Sequence, residues 1–114
     1  MAFVLKQSDT YSWPVSFDIP VDGGRHEKHT FDGEFKRVPQ SRIREIGQLI
    51  ESGDILDSAI ASEVLVGWSG VLDDAGKELP FSQKALEQLL DVPLLATAIV
   101  TSYFQSLQGA KRKN

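Results

Sequence analysis

Cysteine is absent from this 114-residue sequence, which excludes a disulfide framework and any thiolate metal site. Histidine is scarce, and both copies, His26 and His29, lie in one stretch, "HEKH". In an extended chain, positions three apart point to opposite faces. No third ligand accompanies them, and the helical H-E-x-x-H pattern is missing, so no metal is expected. Asp73, Asp74 and Glu78 lack the alternating spacing of a calcium loop and read as a solvated turn. Neither a Gly-x-Ser-x-Gly elbow nor a Walker-type loop occurs. We therefore expect no enzyme activity and no cofactor.

Long apolar runs are also missing. None approaches the roughly 18 residues that suggest a membrane span. The opening "MAFVLKQSDT" lacks the charged-then-apolar layout of a signal peptide. A cytoplasmic protein without a membrane partner is expected. Basic charge is thin as well, with a formal net charge of -4. Residues 1–53 carry seven Lys/Arg against eight Asp/Glu, and residues 54–114 carry five against eight. Lys111, Arg112 and Lys113 supply three of those last five cations. Such a chain has no clustered basic face for nucleic acid, which argues against a DNA-binding regulator. The terminal cations read either as a weak nucleic-acid contact or as a solvated tail beside the negative end of a helix dipole.

What the sequence does hold is an ordinary globular balance, 41% hydrophobic and 25% charged, in a chain sized for a single core. In "WPVSFDIPV", Val15, Phe17, Ile19 and Val21 alternate with Ser16, Asp18 and Pro20. Period two predicts a strand with one apolar face. Pro14 and Pro20 lack a backbone donor and place it at a sheet edge or give it breaks. Asp22–Gly24 is a turn signal, and the chain returns through "HTFDGEFKRV", with Phe31, Gly33 and Phe35 on one face. The expected element is a long hairpin, with Phe3–Leu5 as a candidate third strand. A hairpin alone is marginal in water, so it must pack on helices or on another copy.

Helical signals fill the rest. Pro39 ends the return strand, and Ser41 is positioned to cap a helix carrying Ile43, Ile46, Leu49 and Ile50 up to Gly53. Asp54 is the expected cap of a second helix, with a stripe of Ile55, Leu56, Ala59, Ile60, Val64 and Trp68. Gly67 and Gly70 weaken that helix, and Asp73–Gly76 forms a turn. Ser82 caps a third helix, with Phe81 and Leu86 as a hydrophobic staple. Asp91 is the expected cap of the last helix, with Pro93 in its first turn and Gly109 closing it. Its stripe runs Val92, Leu95, Ala96, Ile99, Val100, Tyr103, Phe104 and Leu107. The class is α+β: one domain over 1–114, with a hairpin arm (1–38), about four helices (39–110) and a basic tail (111–114).

The order of these features resembles the tail assembly chaperones of long-tailed, lambda-like bacteriophages. It is carried by "WPVSFDIPVDGG", "TFDGEFKRVPQSRI", "VLVGWSGVLDDAGKELPFSQKALEQLLDVP" and "ATAIVTSYFQSLQGAKRKN", which together span nearly the whole chain. The resemblance implies a protein of the infected host's cytoplasm, absent from the mature virion. Such a protein binds the tape measure protein, keeps it soluble and promotes tail tube polymerisation around it. It also implies a longer, frameshifted form that reaches the tail tube protein. Lys113-Asn114 can be encoded by a slippery AAA-AAC pair, or can be an ordinary charged terminus. A structural virion component, such as a head–tail joining or tail-end protein, is the alternative. A homo-oligomer is expected, because an open strand edge invites association. Candidate partner- or self-association residues are Val15, Phe17, Ile19, Phe31, Phe35, Trp68, Tyr103 and Phe104.

Overall fold

A hairpin whose two strands are both twelve residues long opens the fold. The computed structural model describes residues 2–108, so Gly109 and the basic tail at 111–114 lie outside the described residues. Strands β1 (Thr10–Val21) and β2 (Arg25–Lys36) pair antiparallel from Thr10↔Lys36 to Val21↔Arg25. The chain then forms α1 (Gln40–Ser52), α2 (Asp57–Val64), β3 (Leu65–Ser69), α3 (Gln83–Leu90) and α4 (Leu95–Ser106). The sheet order is β1-β2-β3. The α+β class expected from the sequence is the one observed.

The third strand is not the expected one. Phe3–Leu5 stays unpaired, and Leu65–Ser69 takes the free edge of β2. The stripe read as one helix from Ile55 to Trp68 therefore breaks. Helix α2 ends at Val64, and Leu65 turns to an extended φ of -93° and ψ of 112°. The physical reason is tertiary: Leu65 pairs with Phe35 and Trp68 with Gly33, so both cover a sheet face that would otherwise stay wet. A register shift between Glu34 and Phe35 leaves Val66 as the extra, outward residue of a β-bulge.

The helix caps match the sequence in part. Gly53 ends α1 in the left-handed region, with φ 76°, and its N–H reaches the Ile50 and Leu49 carbonyls. Ser82 caps α3, its hydroxyl accepting from the Ala85 N–H at 3.0 Å. Phe81 and Leu86, the predicted staple, both join the core cluster. Three caps differ. Pro39 rather than Ser41 precedes α1, and Leu56 rather than Asp54 precedes α2. Asp91 ends α3 instead of starting α4, which begins after Leu94. A chain reversal at Asp91–Leu94 separates those two helices, and they sit at 104° to each other. The predicted stripe spans that corner, so Val92 falls outside α4 and is partly exposed.

One continuous core joins hairpin and helices. Val15, Phe31 and Phe35 from the sheet meet Ile46 of α1, Ile60 and Val64 of α2, Leu86 of α3, and Leu95, Ile99 and Tyr103 of α4. Gly33 makes this packing possible. A Cβ there would stand 3.0 Å from Leu65 Cδ1 and 3.1 Å from Phe35 Cε2. Glycine keeps that space free for its neighbours. No buried side-chain N or O lacks a hydrogen-bond partner among the described residues.

Candidate partner-binding groove

The hairpin outruns the helices that cover it. Along β1 the apolar face starts at Tyr11 and Trp13, is fully buried at Val15, and is half-covered again at Phe17 and Ile19. Alternation thus supplies one stripe, and the helix layer decides which part of it is core.

A ladder of aromatic rings crosses the distal sheet. His29 stacks on Phe17, with centroids 5.9 Å apart and planes at 23°. Phe17 meets Phe31 edge-on at 6.1 Å, Phe31 meets Trp68 at 6.3 Å, and Trp68 meets Phe81 at 4.9 Å. Edge-to-face contacts at these separations are favourable beyond area burial. The Trp68 indole N–H donates to the Leu79 carbonyl at 2.8 Å. A second ladder lies deeper, running from Tyr11 through Phe35 and Tyr103 to Phe104. Burial pushes the Tyr103 hydroxyl up to about 12, and it donates to the Lys36 carbonyl at 3.5 Å.

The connector between β3 and α3 folds onto itself. Leu72 bridges Glu78, and Asp73 Oδ1 accepts from the amides of Ala75 (2.9 Å) and Lys77 (3.0 Å). Leu79 N–H donates to the Val71 carbonyl at 2.7 Å, and Glu78 accepts from Gly70 N–H at 2.6 Å. This knot holds Val71 and Leu72 against the distal hairpin. Together with Phe17, Ile19, Phe31 and Leu89 they line an open groove of about 370 Å³. Leu72 is 58% exposed there, so the groove presents apolar side chains to water.

On the other side of Phe17 lies a wider groove of about 580 Å³, reaching Leu94, Thr97 and Ala98 at the start of α4. Leu94 is the one non-glycine residue among those described with positive φ, at 71°, and it is 72% exposed. A leucine so placed costs about 1–2 kcal/mol relative to ordinary backbone.

Of the residues singled out from sequence, Val15, Phe31, Phe35 and Tyr103 are buried. Their side chains are spent on the core in this fold. Phe17, Ile19, Trp68 and Phe104 are half-buried at its margin, and Phe17 and Ile19 line the groove. Trp68 sits on a strand, not at the end of a helix. The groove residues that sequence reasoning passed over are Val71, Leu72, Leu89 and Leu94. Leu72 and Leu94 carried a signal, since each is a leucine beside turn-forming residues, Asp73–Asp74 and Pro93.

The Arg42 ion pairs lie away from both grooves. Arg42 makes a two-pronged pair with Glu63 at 2.9 and 2.8 Å and a further bond to Glu45 at 2.9 Å. The Arg42 hydrogen bonds hold the Glu63 carboxyl below its ordinary value. His26 pairs with Pro20 and His29 with Phe17, so the two imidazoles lie on opposite faces of the hairpin. Among the described residues no three His, Cys, Asp or Glu side chains are grouped to hold a metal ion, and no single helix is long and apolar enough to cross a membrane.

The structure is thus a small α+β scaffold with an open apolar groove beside its hairpin. Comparison with known families gives its origin: residues 36–108 match the family described as YdaY prophage protein, and the chain belongs to that phage-derived family. The matched stretch takes in α1 to α4 and β3, while nearly all of the hairpin lies before it. No curated protein and no solved structure matches the chain.

Proposed function

We propose that this phage-derived protein is a tail assembly chaperone, a binding protein without turnover. Its client is the tape measure protein, kept soluble in the host cytoplasm until tail tube subunits polymerise around it. The observation that carries this reading is the groove of Phe17, Ile19, Val71, Leu72 and Leu89, apolar and open to solvent. A long helical client presents an apolar stripe, and helix-in-groove docking needs only a shallow apolar channel with a few anchors. Membership in a prophage family and the motif order from Trp13 to Phe104 support the same role. Several copies would cover the length of such a client, each adding a weak contact. The tail tube protein is reached by a longer frameshifted form, and the chaperone leaves before the virion is complete.

Co-expression with the phage's own tape measure protein tests this. Soluble tape measure that co-purifies with this chain is the expected result. Insoluble tape measure, both with this chain and with its frameshifted form, would overturn the reading. Detection of the chain in purified virions by mass spectrometry would favour a virion component instead.

A further inference from the structure

β1 is an outer strand, and its open edge is interrupted in a regular way. One step beyond the Thr10↔Lys36 pair, the Arg37 amide donates to the Asp9 carbonyl at 2.9 Å. The odd-numbered residues of β1 therefore exchange hydrogen bonds with β2, and the even-numbered ones turn N–H and C=O outward. Pro14 and Pro20 are both at even positions, where a missing N–H leaves the sheet intact. Between them, Ser16 and Asp18 supply the outward donors. Beside that window, the groove of about 580 Å³ separates Phe17 from Leu94 and Ala98.

The segment before β1 supplies the complement. Phe3, Val4 and Leu5 are 75%, 69% and 87% exposed, three consecutive apolar residues with no strand partner; the Val4 carbonyl accepts only from the exposed Gln7 side chain, at 2.6 Å. We propose that the two features are halves of one homodimer contact. The Phe3–Leu5 segment of one copy adds antiparallel to the Ser16–Asp18 edge of a second copy, with Phe3 opposite Ile19 and Leu5 opposite Phe17.

A second copy is the occupant because the segment cannot reach that position on its own strand. Phe3 is seven residues from Thr10, about 24 Å of extended chain. Ile19 lies nine residues along β1 from the same point, about 30 Å away. In the proposed register Phe3 and Leu5 face the apolar side, toward Leu94 and Ala98. Val4 and Lys6 face the polar side, with Lys6 opposite Ser16 and diagonal to the Asp18 carboxylate, an opposite-charge neighbour. The register is also self-complementary. Tyr11 falls on a two-fold axis, so each copy gives one segment and receives one, the commonest form of closed assembly. Two three-stranded sheets become one of six, and neither β1 edge stays open. This contact makes specific the homo-oligomer expected from the open strand edge, and client binding does not enter it.

Sedimentation equilibrium of the full chain tests the contact, with circular dichroism to verify folding. Phe3→Ser/Leu5→Ser removes the apolar segment. Ser16→Pro removes an outward donor and leaves every backbone bond to β2 in place, giving up only the exposed Ser16 Oγ···Thr30 Oγ1 hydrogen bond of 3.0 Å. The wild type is expected to dimerise, and each variant to raise the dimer dissociation constant at least tenfold. An equimolar mixture of the two variants retains one intact segment–edge contact, so it should associate more tightly than either variant alone. A monomeric wild type, variants that dimerise as tightly as wild type, or a mixture no tighter than its components would overturn the proposal. Co-purification of tape measure is read separately. Lost client binding with an unchanged dimer counts against the chaperone reading alone.

Discussion

Trp68 on β3 donates its indole N–H to the carbonyl of Leu79, eleven residues on, at 2.8 Å. That bond ties the two ends of the connector together and sets Phe81 against the Trp68 ring. Trp68→Phe keeps most of the packing but leaves the Leu79 carbonyl without this donor. The expected loss is about 1–2 kcal/mol, the cost of an unmade hydrogen bond at a partly buried site. Trp68→Ala also removes the ring and should lose about 2–4 kcal/mol. Urea unfolding followed by circular dichroism measures both. Equal losses for the two variants would show that the hydrogen bond, not the ring, does the tying.

Tyr103 separates ring from hydroxyl in the opposite sense. Its ring is fully buried between Phe35 and Phe104, but its hydrogen bond to Lys36 is long, at 3.5 Å. Tyr103→Phe should change stability by less than about 1 kcal/mol, whereas Tyr103→Ala should lose about 3–5 kcal/mol. The pH dependence follows from the raised hydroxyl. Folding favours the protonated phenol, so stability declines as pH rises from the ordinary 10.0 toward about 12. That alkaline decline should be shallower in Tyr103→Phe, as read by thermal melts across this range.

Glu63 governs the acid side. Its carboxyl is held down by the Arg42 hydrogen bonds, so the folded state releases its proton more readily than the unfolded chain. The resulting stability is fully present above the ordinary 4.5 and is lost as pH falls through the lower folded value. Glu63→Gln should flatten that acid limb and leave the profile above it parallel to wild type. Guanidinium midpoints measured down a pH series check this. An unchanged acid limb would show that other carboxylates set it.

Leu94 is the position where stability and binding should part. Glycine adopts its φ of 71° without the side-chain clash, although glycine also loosens the unfolded chain. Leu94→Gly should therefore stabilise the fold by about 0.5–1 kcal/mol. Because Leu94 lines the wider groove, the same change should weaken dimerisation. A variant more stable in denaturant and less associated in sedimentation would fit a strained residue kept for contact. A destabilised variant would show that the side chain packs in the monomer.

Much of this architecture is legible in local pattern. The alternation from Val15 to Val21, the Asp22–Gly24 turn, the Gly53 stop and the Ser82 cap all operate within a few residues, and all are observed. The failures lie where distant partners decide. Ile60, Val64 and Trp68 fit helical spacing, and nothing near them announces that β2 has a free edge requiring Leu65–Ser69. Asp91 has cap chemistry at either end of a helix, and the sharp corner before α4 assigns it to α3. The candidate site was half legible. Strand periodicity identifies the apolar face of β1, but not that the core covers Val15 and leaves Phe17 partly open. Leu94 carries no signal for a left-handed backbone, which leucine rarely adopts.

The junction between α2 and β3 has a mechanical consequence. Val64 ends the helix and Leu65 begins the strand, with no residue between them. With no linker at this seam, the placement of α2 on the core and the pairing of β3 with β2 constrain each other, and through β3 the position of Trp68. A single residue inserted at this seam would put helix and strand out of phase, whereas the exposed Gly53–Leu56 connection has room for added length.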